Sequence, residues 1–304
     1  MRIIVTGSTG FIGGHLTGHL LRSGNDVGVV LRKNSRFEHS DFPQGNSLVK
    51  LICDGSTDSL ISSFRNFQPE AVVHVASFFV AEHKSDQIID LVTSNILLGT
   101  QILEAMALSN CSKLVNIGTS WQHFLQEKYN PVCLYAATKQ AFEDIARFYV
   151  EAKNISITTL KLFDTFGPND KRQKILPYLL DPKNANKDKV DMSPGDQMID
   201  LVYIDDVVTA ILSALERLKD ERDKGATEYT VSSGHPIKLR DLVAIIARFT
   251  GNKSEFNWGA KAYRAREVMV PWSGGKTIPG WNAHVTIEDG LKRILDGDVH
   301  NKTK

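Results

Sequence analysis

The chain has 304 residues, with 36 Lys and Arg against 35 Asp and Glu for a formal net charge of +1. That length can bury a large core as one large or two modest domains, and the near-cancelled charge gives no basis for a nucleic-acid surface or an acidic partner. Three cysteines, Cys53, Cys111 and Cys133, are odd in number and lack metal-ligand spacing, which leads us to expect a reduced, cytoplasmic protein without a metal site. The chain opens directly on a strand, without a signal-peptide pattern, and no apolar run approaches the ~18 residues of a membrane span, so no membrane association is expected.

In chain order, the β-branched run Ile3-Ile4-Val5 predicts a first strand, and Leu16, Leu20 and Leu21 at helical spacing predict the helix after it. Between them lies Thr6-Gly7-Ser8-Thr9-Gly10-Phe11-Ile12-Gly13. Strand, glycine turn and helix in that order make a nucleotide-phosphate cradle. Gly7 permits the sharp turn, Gly10 lets backbone N–H groups approach a pyrophosphate, and Gly13 lets the helix lie close on the strand. Thr9, Phe11 and Ile12 complete the loop and the first helical turn, whose positive end faces the phosphates. Residues 26–31 read as a buried second strand ending at Arg32. An Asp or Glu about 20 residues beyond the glycines bonds the ribose of NAD, whereas a basic residue accepts the 2′-phosphate of NADP. Arg32 stands there, so the expected cofactor is NADP(H); the competing role is a solvated basic loop, which is how Lys33 and Arg36 are read.

Residues 48–52 predict a third strand running into Cys53-Asp54-Gly55. Asp54 and Gly55 fall where the chain passes under the adenine, with the Asp54 carboxylate placed to accept from the base's amino group; capping the next helix is the competing role, which Thr57 or Asp58 fills equally well. Residues 71–76 predict a fourth strand, apolar as a strand covered on both faces must be. Its small end residue Ala76 suits a backbone lying against a ribose, and His74 within it reads as a hydrogen-bonded core histidine. Residues 85–109 carry the longest helical signal, with Ile88, Leu91, Val92, Asn95, Gly99, Ile102 and Met106 on one stripe. Asn95 either satisfies backbone groups there or takes part in a proton path.

A fifth strand, 113–117, delivers Thr119 and Ser120 at its carboxyl end, where parallel sheets bind ligands. Tyr135 and Lys139 then sit four apart on a helix predicted from 134 to about 152, so both side chains share one face. Tyrosine near its usual pKa of about 10 is a poor acid or base at neutral pH, and a neighbouring ammonium favours the phenolate. With a hydroxyl from Ser120 or Thr119 on a carbonyl oxygen, the set makes a proton-transfer site beside a nicotinamide.

Together these residues look like the extended short-chain dehydrogenase/reductase family, the group of nucleotide-sugar epimerases, dehydratases and ketoreductases. The resemblance covers nearly the whole chain. It continues through 160–168 (Leu-Lys-Leu-Phe-Asp-Thr-Phe-Gly-Pro), similar to the family's R-x-x-N-x-Y-G-P segment, through 201–207 (Leu-Val-Tyr-Ile-Asp-Asp-Val), and through Pro279-Gly280-Trp281 before a closing helix. It implies a doubly wound, mainly parallel α/β sheet of Rossmann type with a smaller C-terminal substrate lobe. The division expected is 1–163 with 197–234 for the dinucleotide and 164–196 with 235–304 for the substrate. It also implies that Tyr135 is the acid/base, that Lys139 lowers its pKa and holds the nicotinamide ribose, and that Ser120 or Thr119 orients the substrate oxygen. Only 15 residues separate Ser120 from Tyr135, so the intervening loop is read as trimmed.

The departures carry information. Dehydratases of the family have an Asp-Glu pair after the catalytic threonine; Trp121-Gln122 stand here. Asp164 replaces the usual Asn, Ile199 replaces an arginine that often grips the diphosphate, and Arg264, in an R-x-x-E segment, is expected to supply that grip. Phe79 and Gln122 are placed at the sugar, with Phe78 and His83 nearby; Lys171-Arg172 are a further phosphate candidate, and 183–189 a solvated loop. The segments 118–122, 163–165 and 192–197 look most like the subgroup of CDP-abequose and CDP-paratose synthases. That points to NADPH-dependent reduction of the C4 ketone of a nucleotide-linked 4-keto-(3,6-di)deoxyhexose, on the way to O-antigen dideoxysugars. An epimerase or dehydratase with tightly bound NAD is the alternative, and a non-enzymatic dinucleotide sensor a second. A homodimer through the helices near 86–109 and 133–152 is expected, and the tail 300–304 is expected to fray.

Overall fold

Seven strands, every neighbouring pair parallel, form the central sheet in the order β11-β6-β5-β4-β1-β2-β3. In chain order the elements are β1 (Arg2–Thr6), α1 (Phe11–Arg22), β2 (Asp26–Arg32), β3 (Leu48–Cys53), α2 (Thr57–Phe67), β4 (Ala71–His74), α3 (Ile88–Val92), α4 (Leu98–Ala107), β5 (Lys113–Thr119), α5 (Leu134–Lys153) and β6 (Ser156–Leu162). There follow β7 (Asp164–Phe166), α6 (Ile175–Leu180), β8 (Val190–Met192), β9 (Met198–Ile199), β10 (Leu201–Tyr203), α7 (Ile204–Lys219), β11 (Ala226–Val231), β12 (Ile237–Lys238), α8 (Leu239–Thr250), β13 (Phe256–Trp258) and α9 (Ile287–Asn301). The computed structural model describes residues 1–37, 42, 47–181, 184 and 189–301, the last five by backbone alone. Most of the run 183–189 and the tail beyond residue 301 therefore lie outside the described residues.

The sheet splits the apolar core into two layers because side chains alternate along a strand. Ile3, Val5, Val73 and Val115 face one layer; Ile4, Val72 and Leu114 face the other, with Phe64, Ile102 and Phe142 from α2, α4 and α5. The first layer runs on without a break into Leu176, Met192, Leu239, Leu242 and Leu291, so the later elements share the sheet's core. Those elements add three two-stranded ladders: β10 with β7 and β13 with β8 are parallel, and β12 with β9 is antiparallel. The strand order reverses between β1 and β4, and a ligand crevice opens at the carboxyl ends of strands beside such a switch point.

Three expectations shift in detail. The fourth strand stops at His74 rather than Ala76, because Val75 N and Ala76 N donate to Thr6 Oγ1 at 3.1 and 3.0 Å instead of extending the ladder. The helix expected over 85–109 is broken by a π turn, Thr93–Leu97, at whose centre Asn95 is buried. Such turns are frequent at functional sites. By length and composition the stretch Ser85–Ala107 is also apolar enough to cross a membrane, which the sequence reading did not pick out because Thr93, Ser94, Asn95 and Gln101 interrupt it. Leu91, Asn95, Gly99, Ile102 and Met106 on this stretch are buried within the fold.

Candidate active site

The cradle forms at the end of β1. Gly7 has φ +72°, and a Cβ there would lie 2.7 Å from Ala76 N. A Cβ on Gly13 would lie 2.2 Å from Gly7 O, so α1 approaches the turn as closely as backbone allows. Gly10 N donates to Gly7 O at 2.9 Å, and Gly10 begins α1 with no side chain capping it. The first N–H groups of α1, from Phe11 onward, are therefore available to an anion, with exposed Thr9 at the rim. Thr6 Oγ1 accepts from Val75 N and Ala76 N, which leaves its proton for His74 Nδ1 at 2.9 Å. His74 is thus a bonded core histidine as expected, and burial, with Lys139's charge second, pushes it down to about 3. Gly13→Ala is expected to cost on the order of 3 kcal/mol and to abolish dinucleotide binding; thermal denaturation and ligand titration check both.

Arg32 ends β2 as an exposed residue whose backbone N donates to Ser35 Oγ at 3.0 Å. Within the chain Asp54 braces the cap of the next helix rather than forming it. Ser56, not Thr57 or Asp58, caps α2 by accepting from Ser59 N, and Asp54 braces that cap through Ser56 Oγ (2.7 Å) and Ser56 N (2.8 Å). Those bonds, the side-chain one first, hold its carboxyl below the usual range. Gly55 beside it takes φ +99°, and its carbonyl accepts from Gln101 Nε2 at 3.0 Å. Arg172, from the basic pair after β7, is forked onto Asp170 and lies 4.4 Å over the Phe11 ring.

On the other side of the switch point lies a cleft of about 650 Å³, within the usual range for small-molecule sites. Phe79, Ser120, Trp121, Asp164, Lys174 and Arg264 are on its wall. The Phe79 ring meets Tyr135 edge-on at 4.9 Å and lies 5.6 Å from Trp121. Asp164 accepts from Lys174 Nζ at 2.6 Å, and that ammonium lies 5.3 Å over the Phe79 ring. Arg264 sits 5.1 Å over Trp121 and forks onto Glu267 at 2.9 and 2.7 Å. Lys174 was missed in the sequence; its signal was a cation just ahead of the short helix Ile175–Leu180.

The pair of hydroxyls separates. Ser120 faces the cleft, while Thr119 Oγ1 accepts from Trp121 N at 3.3 Å and starts the turn Ser120–Gln122. Gln122 is a correction: it is fully buried away from the cleft, accepting from Thr119 N and donating to Gln140 and Glu143. Asn95 satisfies backbone and side-chain groups alike, accepting from Ser77 Oγ and Phe78 N and donating to Phe78 O and Thr138 Oγ1. Thr138 in turn donates to Tyr135 O at 2.7 Å, so this one amide ties the loop after β4 to the start of α5.

Tyr135 and Lys139 share a face of α5, but their electrostatics reverse the expectation. Burial pushes the Tyr135 hydroxyl up to about 12, outweighing a hydrogen bond with Ser77 that lowers it, and Lys139 is not among the groups that move it. Lys139 is itself 1% exposed, its Nζ finds no partner among the described residues, and burial pushes it down to about 8. The burial of both groups is set by tertiary packing that the i, i+4 spacing does not encode.

Residues 3–229 match the NAD dependent epimerase/dehydratase family, and the chain belongs to that family. A relative named CDP-abequose synthase from Salmonella muenchen is 28% identical over 97% of this chain and 97% of its own length. A UDP-glucuronate 4-epimerase from Thermodesulfobacterium geofontis is 25% identical over 98% of this chain and 96% of its own. The solved UDP-glucose 4-epimerase of Thermus thermophilus in complex with NAD has the same fold, with a TM-score of 0.77 at 22% identity, covering 97% of this chain and 98% of that one. A dinucleotide fits the residues present here: backbone fills the space a Cβ would take at Gly7 and Gly13, the α1 N-terminus is uncapped, and the buried Lys139 ammonium has no partner among the described residues.

Proposed function

We propose that the chain is a cytoplasmic, NADPH-dependent oxidoreductase that reduces the C4 ketone of a nucleotide-linked 4-keto-(3,6-di)deoxyhexose, CDP-linked, in O-antigen deoxysugar synthesis. The likeness to CDP-abequose synthase along 97% of both chains supports the substrate class. One observation carries the reaction type: Tyr135 is held as a protonated donor, while every carboxylate on the cleft wall is engaged. Asp164 binds Lys174, Asp191 accepts from Asn257, Asp200 from Ser232 and Ser233, and Glu267 holds Arg264. An elimination needs a free acid and base of that kind; a ketone reduction needs one proton donor.

When bound, the nicotinamide supplies the hydride. The chain's part is to hold and protonate. Gly7, Thr9, Gly10, Phe11, Ile12 and Gly13 cradle the pyrophosphate, Arg32 takes the 2′-phosphate, Asp54 and Gly55 flank the adenine, and Ala76 and Lys139 take the ribose. Ser120 orients the ketone oxygen and Tyr135 gives it a proton, while Phe79, Asp164 and Arg264, with the lobe 164–196 and 235–304, hold the nucleotide sugar. A homodimer through the helices near 86–109 and 133–152 belongs to the same reading: Ile89 and Phe148 on them are 76% and 59% exposed.

The test is calorimetric titration of NADPH and NADH on the wild type and on Arg32→Ala, followed by turnover of CDP-linked 4-keto sugars. NADPH is expected to bind at least about tenfold tighter, a difference of about 1.4 kcal/mol, and Arg32→Ala to erase it. Equal or tighter NADH binding, with NAD retained on purification, would instead favour an epimerase, as in the relative from Thermodesulfobacterium geofontis.

A further inference from the structure

Behind the site lies a second cluster that proton donation leaves unused. Glu143 follows Lys139 by four residues on α5, so Tyr135, Lys139 and Glu143 form one stripe along the helix. The Glu143 carboxylate, on a side chain 14% exposed, accepts from Lys161 Nζ at 2.9 and 2.6 Å and from Gln122 Nε2 at 3.2 Å. Gln122 reaches from there to Thr119 N at 3.1 Å, which ties the carboxylate to the turn carrying Ser120. Lys161, fully buried, also meets Glu228 on β11 at 3.2 Å. The charged and titratable groups around Lys139 are thus Tyr135 and Glu143 on its own helix, His74 on β4, Lys161 on β6 and, beyond Lys161, Glu228.

We propose that Glu143 is a positioning residue for Lys139: anchored by Lys161 and Gln122, its carboxylate is the counter-charge that keeps the buried ammonium charged below the tyrosine, while Lys161 competes for the same carboxylate. The catalytic consequence rests on the proton-donor reading of Tyr135 and Lys139; the electrostatic one concerns only groups of this chain. Lys161 bonds the carboxylate directly, and Lys139, one helical turn from Glu143, feels the same charge at longer range, which fixes the signs. Removing the carboxylate leaves Lys139 with burial and Lys161, both of which disfavour its charge; removing Lys161 takes away the like charge that opposes the Lys139 ammonium. The shifts at Lys139 have these directions: burial lowers it most, Glu143 raises it and Lys161 lowers it. His74, neutral at physiological pH, adds no competing charge.

The test follows the Lys139 ε-methylene by NMR in the full-length protein with ¹³C-labelled lysine, its resonance assigned by its loss in Lys139→Met. The wild-type midpoint is expected near 8. Glu143→Gln should lower it on the order of one pH unit, and Lys161→Met should raise it by a similar amount. Midpoints unmoved in both variants, or moved in the same direction, overturn the proposal. Should Glu143→Gln fail to fold, because it leaves the buried Lys161 with Glu228 as its remaining ion-pair partner, Lys161→Met decides alone: a rise supports the proposal, and no change or a fall sinks it. The pH profile of kcat is expected to move with the midpoint while KM stays level. A midpoint that moves under an unmoved kcat profile upholds the electrostatic role of Glu143 and refutes the proton-donor reading of the site instead.

Discussion

Tyr135→Phe is expected to lower turnover of a 4-keto sugar by about 10²–10⁴ while dinucleotide affinity stays unchanged. The argument starts from the hydroxyl. Burial pushes it up to about 12, so it remains an O–H throughout the neutral range and can only donate. A ketone that receives a hydride develops negative charge on oxygen, and the proton that quenches it must come from a group within hydrogen-bond reach. Ser120, on the cleft wall, can hydrogen-bond that oxygen but is far too weak an acid to replace the phenol. Phenylalanine keeps the ring and its edge-on contact with Phe79, so a lost rate with an intact cleft isolates the proton. Unchanged turnover would remove Tyr135 from the chemistry. The alkaline limb of the profile belongs to Lys139, which loses its charge above about 8, so turnover should fall as pH rises through that value.

What could be read from the sequence follows from what local pattern encodes. The glycine turn, the strands and the i, i+4 pair are local, and their spacing places them on the switch point without tertiary information. Gln122 shows where that stops. It stands two residues from Ser120, and adjacency alone puts both at the ligand; the chain enters a 3₁₀ turn at Ser120, however, and at three residues per turn these two side chains point to different sides. One reaches the cleft and the other a buried carboxylate. The bracing role of Asp54 is hidden for a related reason, since Ser56, two residues on, donates to it and no periodicity records that bond. Asn95 was visible as a polar residue on an apolar stripe, but the π turn that lets one amide reach Phe78 and Thr138 depends on partners 17 and 43 residues away. Lys174 pairs with Asp164 across 10 residues that include a change of direction, and no spacing rule covers such a contact.

Lys139→Met is expected to raise stability and lower activity together. The wild-type ammonium is buried and without a hydrogen-bond partner among the described residues, and its pKa falls from 10.5 in the unfolded chain to about 8 in the folded one. Between those values the unfolded chain binds more protons than the folded one, so stability rises with pH across that window and the penalty is fully present below about 8. At about 1.4 kcal/mol per pKa unit, the penalty at neutral pH is at most about 3.5 kcal/mol. Methionine keeps the length and the apolar stem but carries no charge, and Glu143 remains held by Lys161 and Gln122, so no charge is stranded. Tm at pH 7 should rise by about 2–5 °C, and the gain should vanish well above pH 10.5, where the wild-type lysine is neutral in both states. Turnover should fall by about 10² or more, the loss expected when a preorganised charge is removed from a developing oxyanion. A lower Tm at pH 7 would mean that the ammonium is satisfied in the folded chain. A higher Tm with full activity would mean that the protein bears the cost of burying a charge its reaction does not use, which the trade-off between stability and function at active sites argues against.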